Sequence, residues 1–211
     1  MDKGDGSDRL ASVYDAEDSA ETAQLYDGWA ADYVRDVVGF AYTTPAIIAG
    51  LMGRYVAPGA GTVLDAGAGT GMVGEVLRPL GYEEISGIDL SDEMLSLARD
   101  KGVYTELRQM ELGERLDFPT DHFAAVVAAG VFTPGHAPPH SLDELLRITG
   151  TGGHLIFSVR TDFAGDGGFG EKQRALELEK YWQTIEVTEP YRQLPLADPT
   201  LEARCFVYRV L

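Results

Sequence analysis

Two periodicities divide the chain. From about Ser19 to Gly39, Tyr26, Trp29, Ala30, Tyr33 and Val37 recur near i, i+3, i+4 spacing, which predicts a helix. A second helix is expected from about Pro45, a favoured early helical position, to Val56, and Pro58-Gly59-Ala60-Gly61 ends it. Beyond that break, short apolar runs alternate with amphipathic stretches. Thr62–Asp65 reads as a buried strand, Gly71–Leu80 as a helix and Glu84–Asp89 as a second strand. Ser91 is a good N-cap for a helix reaching about Lys101. Val103–Met110 is a third strand, and Phe123–Ala129 is the continuous apolar run of a central parallel strand. A helix over about Ser141–Thr149, a strand over His154–Val159 and a helix from Glu171 to about Tyr181 follow. Ile185–Thr188 and Glu202–Val210 close the chain as two strands, the last alternating Ala203, Cys205 and Val207 against Arg204, Phe206 and Tyr208.

Strand and helix in this order predict an α/β fold: a Rossmann-like three-layer sandwich around a mostly parallel, seven-stranded sheet. The two closing strands, with no helix between them, predict an antiparallel edge hairpin. Residues 1–18 are expected to be a flexible polar tail. Residues 19–211 form a single domain whose first helices, about 19–57, lie over the site as a lid.

Composition narrows the partners. Among 211 residues, 45% are hydrophobic, which suits one buried core, and no run approaches a bilayer span. The formal net charge of −17 would repel phosphates, so nucleic acid and anionic membrane are disfavoured. The single cysteine, Cys205, precludes an internal disulfide and suits a reducing cytoplasm; it reads as a buried residue of the last strand. The polar, acidic N-terminus does not read as a signal peptide. A monomer or homodimer is expected.

The chemistry concentrates at Asp65-Ala66-Gly67-Ala68-Gly69-Thr70-Gly71, between the first strand and its helix. Glycines there allow a tight turn and close approach of a ligand. Such a loop is by itself also a structural device. Asp65, directly before the first glycine, would repel a pyrophosphate but can accept from an ammonium group, directly or through water. Asp89 ends the second strand, where a carboxylate can hold both hydroxyls of a ribose; the alternative is an Asx turn before the next helix. Met94 either covers an adenine face or is plain core.

In combination these residues resemble the class I S-adenosylmethionine-dependent methyltransferases: Val63-Leu64-Asp65-Ala66-Gly67-Ala68-Gly69-Thr70-Gly71, then Gly87-Ile88-Asp89-Leu90-Ser91-Asp92-Glu93-Met94-Leu95. Tyr26-Asp27-Gly28-Trp29-Ala30-Ala31-Asp32-Tyr33 and Gly130-Val131-Phe132-Thr133-Pro134-Gly135-His136 resemble the methyltransferase-like group named for the Williams–Beuren syndrome chromosome region. The resemblance implies S-adenosylmethionine as cofactor and S-adenosylhomocysteine as product. It places Asp65, Gly67 and Gly71 along the methionine part, Asp89 at the ribose and Met94 beside the adenine, with Ala66, Gly69, Leu90 and Gly130 as further cofactor contacts. Met110, Glu111 and Leu112 would meet the adenine edge, with a register open by a residue or two. No substrate is implied.

On the acceptor side, the loop after the fourth strand faces the ligand in a parallel sheet. His136 is the candidate general base, by position and by the near-neutral pKa of imidazole. Phe132, Phe163 and Arg160 are candidate substrate contacts; Arg160 either binds an anionic acceptor or pairs with a neighbouring acid. Tyr26, Trp29 and Tyr33 either close over the cofactor or form an aromatic core stripe. His122, His140 and His154 read as structural. No ligand-spaced His/Cys/Asp cluster suggests a metal. The expected function is methyl transfer to a small molecule. A non-catalytic binder of the cofactor and an NAD-dependent oxidoreductase are the alternatives, the latter disfavoured by Asp65 and by the lack of a Tyr-x-x-x-Lys pair.

Overall fold

The computed structural model describes residues 4–14, 16, 19–133, 136–166 and 168–211. Pro134 and Gly135, quoted above, lie outside the described residues. The chain enters through three helices, α1 (Gly4–Tyr14), α2 (Ser19–Gly39) and α3 (Thr44–Tyr55). Then follow β1 (Val63–Ala66), α4 (Met72–Leu77), β2 (Ile85–Asp89), α5 (Asp92–Asp100) and β3 (Glu106–Gln109). The second half is β4 (Phe123–Phe132), α6 (Ser141–Ile148), β5 (Thr149–Arg160), α7 (Thr161–Asp166), α8 (Phe169–Leu178), β6 (Trp182–Val187), β7 (Tyr191–Leu194) and β8 (Asp198–Val210). No single described helix is long and apolar enough to cross a membrane.

The sheet order is β3-β2-β1-β4-β5-β8-β6, with the short β7 also on β8. Strands β3, β2, β1, β4 and β5 run parallel, while β8 is antiparallel to both β5 and β6. The sheet therefore has eight strands rather than the expected seven, and the closing hairpin is not simply appended. Strand β8 inserts between β5 and β6, and β7 is the additional strand.

Both faces of the sheet are covered, which explains the unbroken apolar runs. In β4, Val126 and Ala128 join the core built with α6 and α8, including Leu142, Leu145 and Leu176. Their neighbours Ala125 and Val127 join the opposite core, with Ile48, Met52 and Leu77 of α3 and α4. A third cluster holds Val13 of α1, Trp29 and Val37 of α2, Phe40 and Leu194. Residues 4–14 are thus helix rather than tail: Val13 is wholly buried, and Arg9 pairs with Asp32 at 2.8 Å.

Strand β1 has β2 on one side and β4 on the other, so the connections diverge beyond its carboxyl end. That divergence opens a crevice where ligands settle in open α/β sheets. Gly130 enlarges it. Its φ of +72° accompanies a register shift between Ala128 and Phe132, and Ser158 Oγ accepts its amide at 2.9 Å. The bulge bends β4 and turns Ala129, Gly130 and Val131 to the crevice.

Candidate active site

A cavity of about 290 Å³ fills this crevice under α2. Its floor is the glycine loop. Gly67, Gly69 and Gly71 have φ of +81°, +53° and +86°, which L-residues with a Cβ adopt only under strain. A Cβ on Gly67 would collide with Val131, whereas one on Gly69 would meet nothing within 4 Å. Four of the loop's amides are already committed. Gly67 and Ala68 donate to Ile88 O at 2.8 and 2.9 Å, Gly71 to Ala68 O at 2.8 Å, and Gly69 to Asp89 Oδ2 at 2.7 Å. A dinucleotide pyrophosphate would find these donors occupied, unlike the free amides of a phosphate-binding helix entry.

Asp89 sits at the cavity wall. Ser91 N donates to its Oδ1 at 3.0 Å, and the two amides leave the carboxylate with further acceptor capacity. Burial raises its pKa, opposed by the amides of Ser91 and Gly69. Ser91 caps α5 by accepting from Met94 N at 3.0 Å and also hydrogen bonds Asp27 of α2. One serine thus ties α2 to the start of α5. Leu90, Met94, Met110, Glu111 and Leu112 line the same end; Met110 N is held by Asp89 O at 3.0 Å.

Asp65 is placed differently from the sequence expectation. It is wholly buried behind the loop and does not line the cavity. Tyr104 Oη donates to its Oδ2 at 2.6 Å and accepts from Gly74 N at 3.1 Å, while Oδ1 has no partner among the described residues. Burial pushes the Asp65 carboxyl up to about 7, which the Tyr104 bond opposes. Ala66 and Gly71 likewise stay behind the lining: Ala66 belongs to the sheet core, and Gly71 packs against Tyr104 and Ala98.

The opposite end is aromatic. Tyr26, Tyr33 and Tyr42 line it, with His136. Burial holds all three phenols above their ordinary pKa; Tyr33 further raises Tyr26 and Tyr42, and Tyr42 raises Tyr26. His136 Nε2 lies 2.8 Å from Tyr26 Oη and Nδ1 lies 3.0 Å from Thr133 Oγ1. The imidazole is therefore fixed at both nitrogens, and it pins α2 over the crevice.

Trp29 is not part of this wall. It is 1% exposed in the third core, and its Nε1 donates to Asp36 at 2.9 Å. The i, i+3, i+4 stripe spans more of the helix than the cavity covers, so its central member went to the core. Phe132, wholly buried against Phe157 and Phe169, and Phe163, packed on Phe169, also belong to the core rather than to the lining. Arg160 lies outside the lining too, paired with Asp162. Conversely, Tyr42 and Thr70 line the cavity and were not singled out in the sequence. Thr70 follows Gly69 in the motif, which was the available signal. Nothing local marked Tyr42, which a loop between two helices brings to Gly130.

The match to known proteins covers this same region. Residues 64–157 match the family model described as "Methyltransferase domain". Methyltransferase-like protein 27 of Homo sapiens is 32% identical over 157 residues, which are 73% of this chain and 64% of that protein. The chain thus spans less than two thirds of that relative's length. Among solved structures, the cyclase SpnF superposes with a TM-score of 0.67 at 14% identity, over 92% of this chain and 97% of that one. An S-adenosylmethionine-dependent methyltransferase from Mesorhizobium loti gives 0.57 at 17% identity, over 75% and 96%. At these identities the structural likeness is one of fold.

Proposed function

We propose that this chain is a methyltransferase that acts on a small-molecule acceptor, with S-adenosylmethionine as donor. The observation that carries the proposal is one continuous cavity. It joins a glycine loop and a presented carboxylate, Asp89, to a wall of tyrosines and a histidine. The residues fit an amino-acid nucleoside: Asp89 retains acceptors for vicinal hydroxyls, Gly69 faces open space, and Thr70 Oγ1 is a buried polar atom with no partner among the described residues. When bound, the sulfonium supplies a methyl group already attached to a good leaving group.

The chain's own residues then bind and orient. Asp89 grips the ribose, Met94 and Leu90 flank the adenine, and Met110, Glu111 and Leu112 meet its edge. Gly67 and Gly130 let the backbone approach the reacting end. Tyr26, Tyr33 and Tyr42 exclude water and present hydroxyls, and alignment of donor and acceptor can contribute up to about 7–11 kcal/mol. In the tautomer with Nδ1–H donating to Thr133, His136 Nε2 carries the lone pair and accepts from Tyr26. An acceptor hydroxyl entering there replaces the phenol and passes its proton to Nε2. Tyr26, held neutral by burial, donates and does not act as base.

The fold also serves a cyclase, so fold alone does not fix the reaction. The test is calorimetric titration with S-adenosylhomocysteine and NAD. Asp89→Ala is expected to weaken S-adenosylhomocysteine binding by about 2–3 kcal/mol, roughly 30- to 150-fold, for loss of hydrogen bonds to a charged group. Heat with NAD, or an unchanged affinity in Asp89→Ala, overturns the assignment. Methyl transfer from labelled S-adenosylmethionine over a metabolite panel, sensitive to His136→Ala, then separates an enzyme from a binder.

A further inference from the structure

Among the described residues, the cavity lining contains no Lys or Arg, yet a cation sits one ring away. Arg160 ends β5 at the same carboxyl edge as the site, and its side chain is only 10% exposed. Asp162 takes one edge of the guanidinium, accepting from Nε at 3.0 Å and Nη2 at 2.5 Å. Nη1 is buried with no hydrogen-bond partner among the described residues. A guanidinium carries five donors in a rigid fork, and leaving one of its N–H groups dry and unpaired is costly.

What covers Arg160 is a side chain rather than the scaffold. The Tyr14 ring lies over the guanidinium, with Cζ 4.5 Å from the ring centroid, and its side chain also hydrogen bonds Arg160. The same ring meets His136 edge-on at 6.0 Å, and His136 lines the cavity. Tyr14 therefore stands between the cation and the proposed acceptor end. It is the last residue of α1, so its ring can swing aside by side-chain rotation while Val13 and Leu10 keep the helix docked.

We propose that Arg160 is an anion subsite for the acceptor, that the acceptor carries a carboxylate or phosphate, and that Tyr14 holds the subsite closed until that group displaces it. This rests on the methyltransferase reading above. A planar acid would take the space of the phenol ring, set its oxygens on Nη1, and leave its far end toward His136. Asp162, with a side chain 60% exposed, keeps the other edge neutralised and orients the fork.

The test uses protein saturated with S-adenosylhomocysteine, whose own affinity is measured in the same samples. Benzoate and phenyl phosphate are titrated against benzamide, a neutral probe of similar shape. At least one acid is expected to bind tenfold or more tighter than benzamide, and which acid prevails tells carboxylate from phosphate. The preference is expected to vanish in Arg160→Gln, to survive in part in Arg160→Lys, and to grow severalfold in Tyr14→Ala, where the subsite stands open. If neither acid outbinds benzamide in both the unsubstituted protein and Tyr14→Ala, the subsite is wrong. Retention of the preference in Arg160→Gln also overturns it. Failure to bind S-adenosylhomocysteine at all instead removes the methyltransferase reading, so the two failures are distinguishable.

Discussion

A carboxylate taken out of water must find donors or keep its proton, and Asp65 has one donor where it needs more. Tyr104 serves Oδ2, Oδ1 is bare, and burial lifts the carboxyl from 3.8 to about 7. Because the folded pKa lies above the unfolded one, the folded state binds the extra proton, and stability falls as pH rises from about 4 through 7. The full shift sets an upper bound of about 4 kcal/mol. Asp65→Asn removes the titration and keeps an acceptor for Tyr104. It is expected to raise the melting temperature over the unsubstituted protein at pH 8, with the gain shrinking toward pH 5. Melting curves across that range decide it; a difference that does not change with pH would show that Asp65 stays ionised. The sequence revealed an acid beside the loop, but not its orientation. Orientation depends on Tyr104, thirty-nine positions away in the chain and on a different connection. Asp89 was easier to read because its partners, Gly69 and Ser91, belong to motifs visible in the sequence. Trp29 was misplaced because helical spacing identifies a face without saying how much of that face meets a cavity.

Among the elements, α1 and β7 depend most on tertiary contact. Helix α1 contains Gly4 and Gly6 and offers little apolar surface beyond Leu10, Val13 and Tyr14, so its local propensity is poor. It holds by burying Val13 against the cluster around Trp29 and Phe40. That cluster is separate from the two sheet cores, so its loss should be local. Val13→Asp is expected to free α1 and raise amide exchange there and along the exposed face of α2, leaving β1, β4 and β5 protected. Hydrogen exchange measures both regions at once; equal deprotection of the strands would mean α1 is integral to the global fold. Strand β7 was invisible for another reason. Pro190 and Pro195 bracket a four-residue strand, which hides any period-2 signal, and among the described residues β8 is its strand partner. By contrast α2 was legible over Ser19–Gly39, because twenty-one residues carry many turns of pattern.

At the scale of the whole molecule, the parallel order from β3 to β5 follows from right-handed strand–helix–strand crossovers. The placement of β8 between β5 and β6 does not, because an antiparallel strand can join on either side. Net charge, by contrast, is fully visible in the sequence and acts on the proposed chemistry as a field. A chain of −17 attracts a cationic ligand and repels an acidic one over distances comparable to the Debye length, about 10 Å at 0.1 M salt. S-adenosylmethionine carries one more positive charge than S-adenosylhomocysteine and is otherwise nearly the same shape. Raising salt from 10 to 300 mM, roughly a fivefold shortening of the Debye length, is therefore expected to weaken S-adenosylmethionine binding by roughly three- to tenfold. S-adenosylhomocysteine, electrically neutral overall, should change far less. For an acidic acceptor the sign reverses: screening lifts the repulsion, and its kcat/KM should climb with salt over the same range. A neutral acceptor should show neither trend. Paired titrations of the two cofactor forms at each salt concentration test the field without knowing the acceptor. Parallel curves for the two would mean that the acidic surface lies too far from the crevice to act on it.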